Sequence, residues 1–269
     1  MKLRITLLSL LVILLLTSNA SAQKEKHLFF GFNVGTKLAN KNYAIRYTGL
    51  YQNQLEYALM NQYNYNQLYI LLGDKNFYVP YDAYPLNMRY TPAIVTGVTI
   101  GYQVGPHLQM SLDANFSKLK VRDAFTIVVD DPGNFTTEPV IKVGELFAKE
   151  GRFDGRFNLD YVFDGTGKAK FMMGFSGLFN AWRIEEHYAS MLGYKMPFFS
   201  VHNPTNNINN KVSGMGWGAG INIGIDYQIN DKMVGQLVYQ PYQTRVDYGF
   251  TINKTLLIQH DIVLRILWK

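Results

Sequence analysis

The stretch Ile258–Lys269, I-Q-H-D-I-V-L-R-I-L-W-K, places Ile258, Ile262, Leu264, Ile266 and Trp268 on one face, with His260 as the only polar residue among them. Gln259, Asp261, Val263, Arg265 and Leu267 fall on the other face. A period of two is a strand, because successive side chains point to opposite sides of the pleat. A greasy face opposite a face holding Asp and Arg does not suit a soluble sandwich core. It suits a strand with lipid on one side and a polar barrel interior on the other.

Working outward, the same alternation recurs. Leu28, Phe30, Phe32, Val34 and Thr36 oppose Gly31, Asn33, Gly35 and Lys37. Ala93 to Val104 and Leu108 to Ser117 form a hairpin around the turn Gly105-Pro106-His107. Arg152–Phe163 and Ala169–Trp182 form a second hairpin across 164–168, and Met215–Ile229 and Met233–Gln240 a third across 230–232. Connections at roughly 40–92, 121–151, 183–214 and 241–256 are long, so short and long alternate strictly. Tight turns at one end and long loops at the other are the habit of membrane barrels. The reading is all-β: an eight-stranded antiparallel up-and-down transmembrane β-barrel with long extracellular loops. A ten-stranded version would add a hairpin from Phe125–Val129 and Val140–Phe147; these are read instead as extensions of the third and fourth strands above the membrane.

The chain has 269 residues, no cysteine and a formal charge of +6. Lys2 and Arg4, the apolar run Ile5 to Leu16 and Ala20-Ser21-Ala22 read as a signal peptide, 1–22, cleaved after Ala22. The barrel domain then occupies 23–269, with 40–92 as an extracellular insertion. No later apolar run approaches the roughly 20 residues of a membrane helix. A mature chain that spans lipid without such helices must be a closed barrel. The mild charge has no Lys/Arg run, so nucleic acid is not an expected partner. Outer-membrane lipid and lipopolysaccharide are, together with the insertion machinery during biogenesis.

The predicted inward ionisable residues are Lys37, Arg152, Arg156, Lys170 and Arg265 against Asp113, Asp154, Asp160, Asp226 and Asp261. An eight-stranded barrel is just wide enough for side chains to fill. Balanced charges there form an internally paired polar core, because unpaired buried charge is costly. A small pore is the competing reading.

No catalytic residue, metal ligand or cofactor is assigned. Glu185, Glu186, His187, Ser200 and His202 are the candidates for a rim-site lipid or peptide hydrolase. Ser200 and His202 are two apart and point to opposite sides of an extended chain, which is weak support for a dyad. Asp130-Asp131-Pro132-Gly133-Asn134 offers oxygen ligands but reads as a loop-tip turn.

Residues 43–90 hold eleven of the nineteen tyrosines: Tyr43, Tyr47, Tyr51, Tyr57, Tyr63, Tyr65, Tyr69, Tyr78, Tyr81, Tyr84 and Tyr90. Tyr51, Leu55 and Leu59 follow helical spacing, which predicts a short helix around 50–64. Tyrosine mixed with Asn and Gln is the composition of adaptable binding surfaces. The plain alternative is a loop that caps its own barrel. Tyr51, Tyr57, Tyr63, Tyr65, Tyr69, Tyr78, Tyr81 and Tyr84 are the candidate contacts for an envelope protein partner.

With the leader, the start Phe30–Gly35 (F-G-F-N-V-G), the dyad alternation, the loop asymmetry and the aromatic-ended last strand, the chain resembles small outer-membrane β-barrel proteins of the OmpA/OmpX type. The resemblance implies fold and an outer-membrane location, and little about activity. The same start also looks like that of the small-barrel component of type IX secretion systems. Ile262, Leu264, Ile266 and Trp268 resemble the carboxyl-terminal signal read by the insertion machinery. The expected role is therefore a non-enzymatic envelope component that binds a partner through its first loop, within a secretion or assembly complex.

Overall fold

In the computed structural model, the described residues are 28–50, 54–131, 133, 138–198, 213–246 and 257–269. The expected leader, 1–22, lies outside them. Eight long strands make the architecture: β1 (Leu28–Leu38), β2 (Ala93–Gln103), β3 (Leu108–Val129), β4 (Val140–Val162), β5 (Ala169–Met191), β6 (Ser213–Asn230), β7 (Met233–Val246) and β8 (Leu257–Trp268). Each pairs antiparallel with its neighbours in sequence. The ring closes because β8 pairs with β1, from Phe30↔Trp268 to Leu38↔His260. Closure removes every sheet edge within the ring, the condition for a β-structure to sit in lipid.

The outside of the ring is apolar. Phe32 is 62 % exposed, Ile94 72 % and Phe175 66 %, values foreign to a protein surrounded by water. Two aromatic rings bound this band. Near the termini, Phe30 stacks on Trp268 at 5.8 Å, and Tyr161, Phe163 and Phe171 follow one another at 5.0 and 5.5 Å. At the other end, Phe116 meets Phe153 at 5.0 Å, Phe179 meets Trp217 at 5.3 Å and Tyr239 stacks on His260 at 5.9 Å. Phe153 to Phe163 is ten residues, about 34 Å along the strand, or about 26 Å across the membrane at a 40° tilt. That matches the apolar band of known membrane barrels.

The hairpin of β3 and β4 continues far above this band, pairing from Leu108↔Tyr161 to Val129↔Val140 without a break. The expected loop 121–151 is thus mostly strand, and the segments Phe125–Val129 and Val140–Phe147 extend these strands. β5 likewise runs to Met191 instead of Trp182, turns through Leu192 and Gly193 at positive φ, and pairs with the short strand Tyr194–Pro197. Two consecutive left-handed residues match the strand twist of a tight hairpin. β7 continues six residues past Gln240, to Val246. Three long strands therefore stand as a curved wall over one side of the barrel mouth.

Polarity inverts where the wall leaves the membrane. Along β3 the inward residues go from Gln109, Ser111, Asp113, Asn115 and Ser117 to Leu119, Val121, Phe125, Ile127 and Val129. The outward ones go from Leu112 and Phe116 to Lys118, Lys120 and Arg122. Below, the strand has lipid outside and polar groups inside; above, it has water outside and needs an apolar partner inside.

Candidate functional site

The first loop supplies that partner. Asn40 caps α1 (Lys41–Ala44) by accepting from the Asn42 N–H at 2.9 Å. A single 3₁₀ turn, Ile45–Tyr47, follows. Two further helices, α2 (Gln54–Met60) and α3 (Gln62–Leu71), take the place of the single helix expected over 50–64. On α2, Leu55, Ala58 and Leu59 are buried, the i, i+3, i+4 spacing of one helix face. Leu55 and Leu59, with Tyr47, Leu68, Phe77, Tyr84 and Met88, pack on Val121, Phe125, Ile127, Leu146, Ala148, Ala189 and Met191 of the wall. This is a conventional hydrophobic core built outside the membrane, and it stoppers the barrel mouth.

Polar ties hold the stopper at its circumference. Phe77 and Tyr78 pair with Val129 and Val128 at the tip of β3. Lys75 pairs with Asp131 at 2.5 Å, and that hydrogen bond holds the Asp131 carboxyl below its ordinary range. The Tyr194 hydroxyl donates to Asn64 Oδ1 at 2.8 Å, tying α3 to the short strand. At the base, the Tyr43 hydroxyl donates to the Thr244 carbonyl at 2.7 Å.

The lumen beneath is filled in three tiers. Nearest the termini, Gln236 donates to Gln109 and to Asp226, at 3.0 and 2.9 Å. Arg265 binds Asp113 at 2.8 Å and approaches Asp160 at 3.6 Å; Asn158 and Asn222 donate to these carboxylates. In the middle, Lys37 pairs with Asp154 and donates to the Tyr242 hydroxyl at 2.8 Å. Arg156 pairs with Asp261, donates to Gln240 at 2.7 Å and lies over the Tyr242 ring at 4.5 Å. Asn180 completes the Asp154 shell. At the mouth, Arg152 donates to Gln259 at 2.6 Å and to Glu150 at 2.5 Å, and Glu150 also accepts from the hydroxyls of Tyr47 (2.8 Å) and Tyr90 (3.1 Å).

Nine of the ten ionisable residues expected inside are buried here, and three details differ. Lys170 is half-buried at the rim near the termini, where water reaches it. The carboxylate of Arg152 is Glu150, which lies beyond the segment whose inward face reads as polar. Asp226 is held by Gln236. Arg46 adds a further buried cation, lying over the rings of Trp182 and Tyr47 at 4.8 and 5.0 Å. Lys37, Arg46, Arg152, Arg156, Lys170 and Arg265 thus stand against Asp113, Glu150, Asp154, Asp160, Asp226 and Asp261. The balance of cations and anions persists.

The tyrosines divide into two sets. Tyr84 is 8 % exposed within the stopper core, and burial, then the nearby Glu56 charge, raise its pKa. Tyr65 is half-buried, stacks on Phe77 at 5.1 Å and donates to Asn76 at 2.7 Å; Tyr69 stacks on Tyr65 at 6.3 Å. Tyr57, Tyr63, Tyr78 and Tyr81 are 70, 68, 54 and 88 % exposed. Tyr51 lies outside the described residues.

Of the hydrolase candidates, Ser200 and His202 lie outside the described residues. Glu185 and Glu186 face outward and pair with Lys149 at 3.0 and 3.5 Å. His187 faces inward between the rings of Tyr47 (5.1 Å) and Phe198 (4.3 Å), away from both carboxylates. Part of the residue reaches the surface but Nε2 is enclosed, and burial, with the Arg46 charge, lowers its pKa to about 3. It is a packed neutral ring in this setting.

Among known proteins, no family model and no curated protein matches the chain. Solved structures do. The crystal structure of Neisserial surface protein A (NspA) is similar over 90 % of this chain and 96 % of its own, with 9 % identity and a TM-score of 0.46. The outer membrane protein OprG from Pseudomonas aeruginosa is similar over 92 and 94 %, with 9 % identity and a TM-score of 0.35. The CymD monoaromatic hydrocarbon channel covers 91 and 88 %, with 10 % identity and a TM-score of 0.21. The closed ring and the girdled apolar band carry the conclusion in this molecule's own terms: the chain is an eight-stranded antiparallel transmembrane β-barrel.

Proposed function

We propose that the protein is a non-enzymatic interaction component of the cell envelope, and that its stopper presents a tyrosine surface to a protein partner. One observation carries this reading: the apolar side of the first loop is consumed by the wall, while Tyr57, Tyr63, Tyr78 and Tyr81 stay exposed. Tyrosine gives large amphipathic contact area at low entropy cost, which is why it is common at interface centres. Capping and binding thus belong to opposite sides of one element. A lumen filled by paired side chains beneath a stopper favours binding over conduction.

Within this class, we propose membership of a secretion or outer-membrane assembly complex, on an OmpA/OmpX-type scaffold. The test is gentle purification from native membranes. A stoichiometric partner should co-migrate with the wild type and be lost from a Tyr57→Ser/Tyr63→Ser/Tyr78→Ser/Tyr81→Ser variant that keeps its heat-modifiable gel shift. Solitary migration of the wild type would sink the reading.

A further inference from the structure

On the side away from the first loop, the wall ends in two stretches of open sheet edge, and the two are built differently. One is the short strand Tyr194–Pro197 beside β5. The Phe198 N–H donates to the His187 carbonyl at 3.0 Å, so even-numbered residues here face β5 and odd-numbered ones face away. The outward backbone positions are therefore Lys195 and Pro197. Proline has no N–H to offer an incoming strand, and the Lys195 ammonium sits 4.9 Å from the Tyr188 ring centre. Proline and lysine are the usual means of blunting a sheet edge. This stretch is closed to further pairing.

The other stretch is the top of β4. β5 pairs with β4 as far as Glu145↔Ser190 and then turns back, whereas β4 continues along β3 to Val129↔Val140. Among the described residues, Val140–Gly144 thus has a strand neighbour on one side only. The Val162 N–H donates to the His107 carbonyl at 2.7 Å, and β3–β4 pairing runs on from there without a break. Even-numbered residues of β4 therefore bond to β3, and odd-numbered ones turn the other way, as Phe163 does in donating to Phe171 at 2.9 Å. Ile141 and Val143 each present an N–H and a C=O to the open side. Their side chains are 55 and 64 % exposed, on the convex face and about 34 Å along the strand from Phe153. Between them, Lys142 is exposed on the concave face and meets no carboxylate among the described residues. No proline blunts this edge.

We propose that Val140–Gly144 is a strand acceptor for an extended segment of a partner polypeptide, antiparallel to β4, with an acidic residue between two apolar ones. The backbone of the incoming segment meets the free groups of Ile141 and Val143, and its side chains alternate between the two faces. Its apolar pair stands opposite Ile141 and Val143, and its acid stands opposite Lys142 on the other face, each a favourable cross-strand pair. Lys142 also rejects wrong occupants, since a cation opposite it is repelled. A second copy in the same membrane runs its β4 in the same sense, so it cannot supply the antiparallel strand. This edge is separate from the tyrosine surface of the stopper and needs none of its residues.

The test is NMR of the full chain in detergent micelles, read as hydrogen exchange at single amides. In the free protein, the amides of Ile141 and Val143 should exchange faster than that of Lys142, which bonds to Ile127. The end-blocked peptide Thr-Val-Glu-Val-Thr, at millimolar concentration, should slow Ile141 and Val143 and leave Lys142 unchanged. N-methylation of both its valines should abolish the effect, and N-methylation of its glutamate should not. Thr-Val-Lys-Val-Thr should bind about fivefold more weakly, and Lys142→Glu should reverse that preference. Val143→Pro removes no hydrogen bond from the fold, should keep the heat-modifiable gel shift, and should weaken binding about tenfold. If that variant fails the gel-shift check, the Lys142→Glu reversal decides. Slow exchange at Ile141 and Val143 without peptide, no slowing with it, equal binding of the valine-methylated peptide, or a charge preference unmoved by Lys142→Glu overturns the proposal.

Discussion

Arg156 is the residue on which the lumen depends most. It is fully buried, pairs with Asp261, donates to Gln240 and lies over Tyr242, while Asp261 also has Lys37 at 3.5 Å. Removing one member of a buried ion pair leaves the other uncompensated, at a cost of about 3–5 kcal/mol. Arg156→Ala should lower unfolding stability by about that amount, read from urea titration of the gel-shifted form. Lys170→Ala, at the wet rim, should change it by under about 1 kcal/mol. Equal effects would mean that the tiers are not a buried network. His187 gives the other residue-scale prediction. Its pKa falls from an ordinary 6.5 to about 3 in the fold, so the unfolded or opened state binds the extra proton. The stopper should therefore be most secure above about pH 6.5 and loosen progressively as pH falls toward 3. His187→Phe keeps a ring between Tyr47 and Phe198 and should flatten this acid dependence in hydrogen exchange of α1 and α2. Little of this was legible from sequence: His187 stands beside Glu185 and Glu186 in the chain, yet an irregularity in the β4–β5 register near Lys149 and Glu150 separates it from them in space. A single shift of register reverses which face a side chain occupies.

At the scale of the element, the long strands show how a correct rule can stop too soon. Alternation of apolar-out and polar-in ends at Phe116 on β3 and at Phe153 on β4, and a reader following one pattern ends the strands there. The alternation in fact continues with its faces exchanged, because the solvent outside changes from lipid to water. The same signal explains why the first loop is helical: an inward face of Val121, Phe125 and Ile127 demands an apolar partner, and Leu55, Leu59 and Leu68 supply one. The burial of those leucines predicts that Leu59→Ala costs about 2–5 kcal/mol locally. Because this core is separate from the lumen, the effect should appear as faster proteolysis at Lys75 and Arg89 while the barrel keeps its gel shift. Loss of the barrel itself would show that stopper and barrel fold as one unit. The division of the tyrosines into buried and exposed sets was not legible, since period and composition do not say which side of a compact loop meets the wall.

For the molecule as a whole, closure is what the sequence makes plainest. Ile262, Leu264, Ile266 and Trp268 face outward on β8, and the same strand presents Asp261 and Arg265 to the lumen. β8 is paired along its length on both sides, with β1 and β7, so no other strand can satisfy both neighbours. Trp268 adds a ring stacked on Phe30 and set edge-on to Phe32, which fastens the seam at the rim near the termini. Leu264 is 40 % exposed in the middle of the apolar band, opposite Val34 and Leu237. A carboxylate there must enter lipid away from either interface, and it gains no partner from Val34 or Leu237. Lipid-facing charge at the midplane costs about 2–4 kcal/mol for a cation and less for a carboxylate. That penalty alone leaves a barrel of ordinary stability folded. Leu264→Asp is therefore expected to refold in detergent, where the girdle is met by flexible chains, yet to fail to accumulate as heat-modifiable protein in outer membranes. Removal of Trp268-Lys269 should fail in membranes in the same way. Normal accumulation of both variants would show that the outward face of β8 serves closure alone; failure in membranes with success in detergent would show that it is also read during insertion.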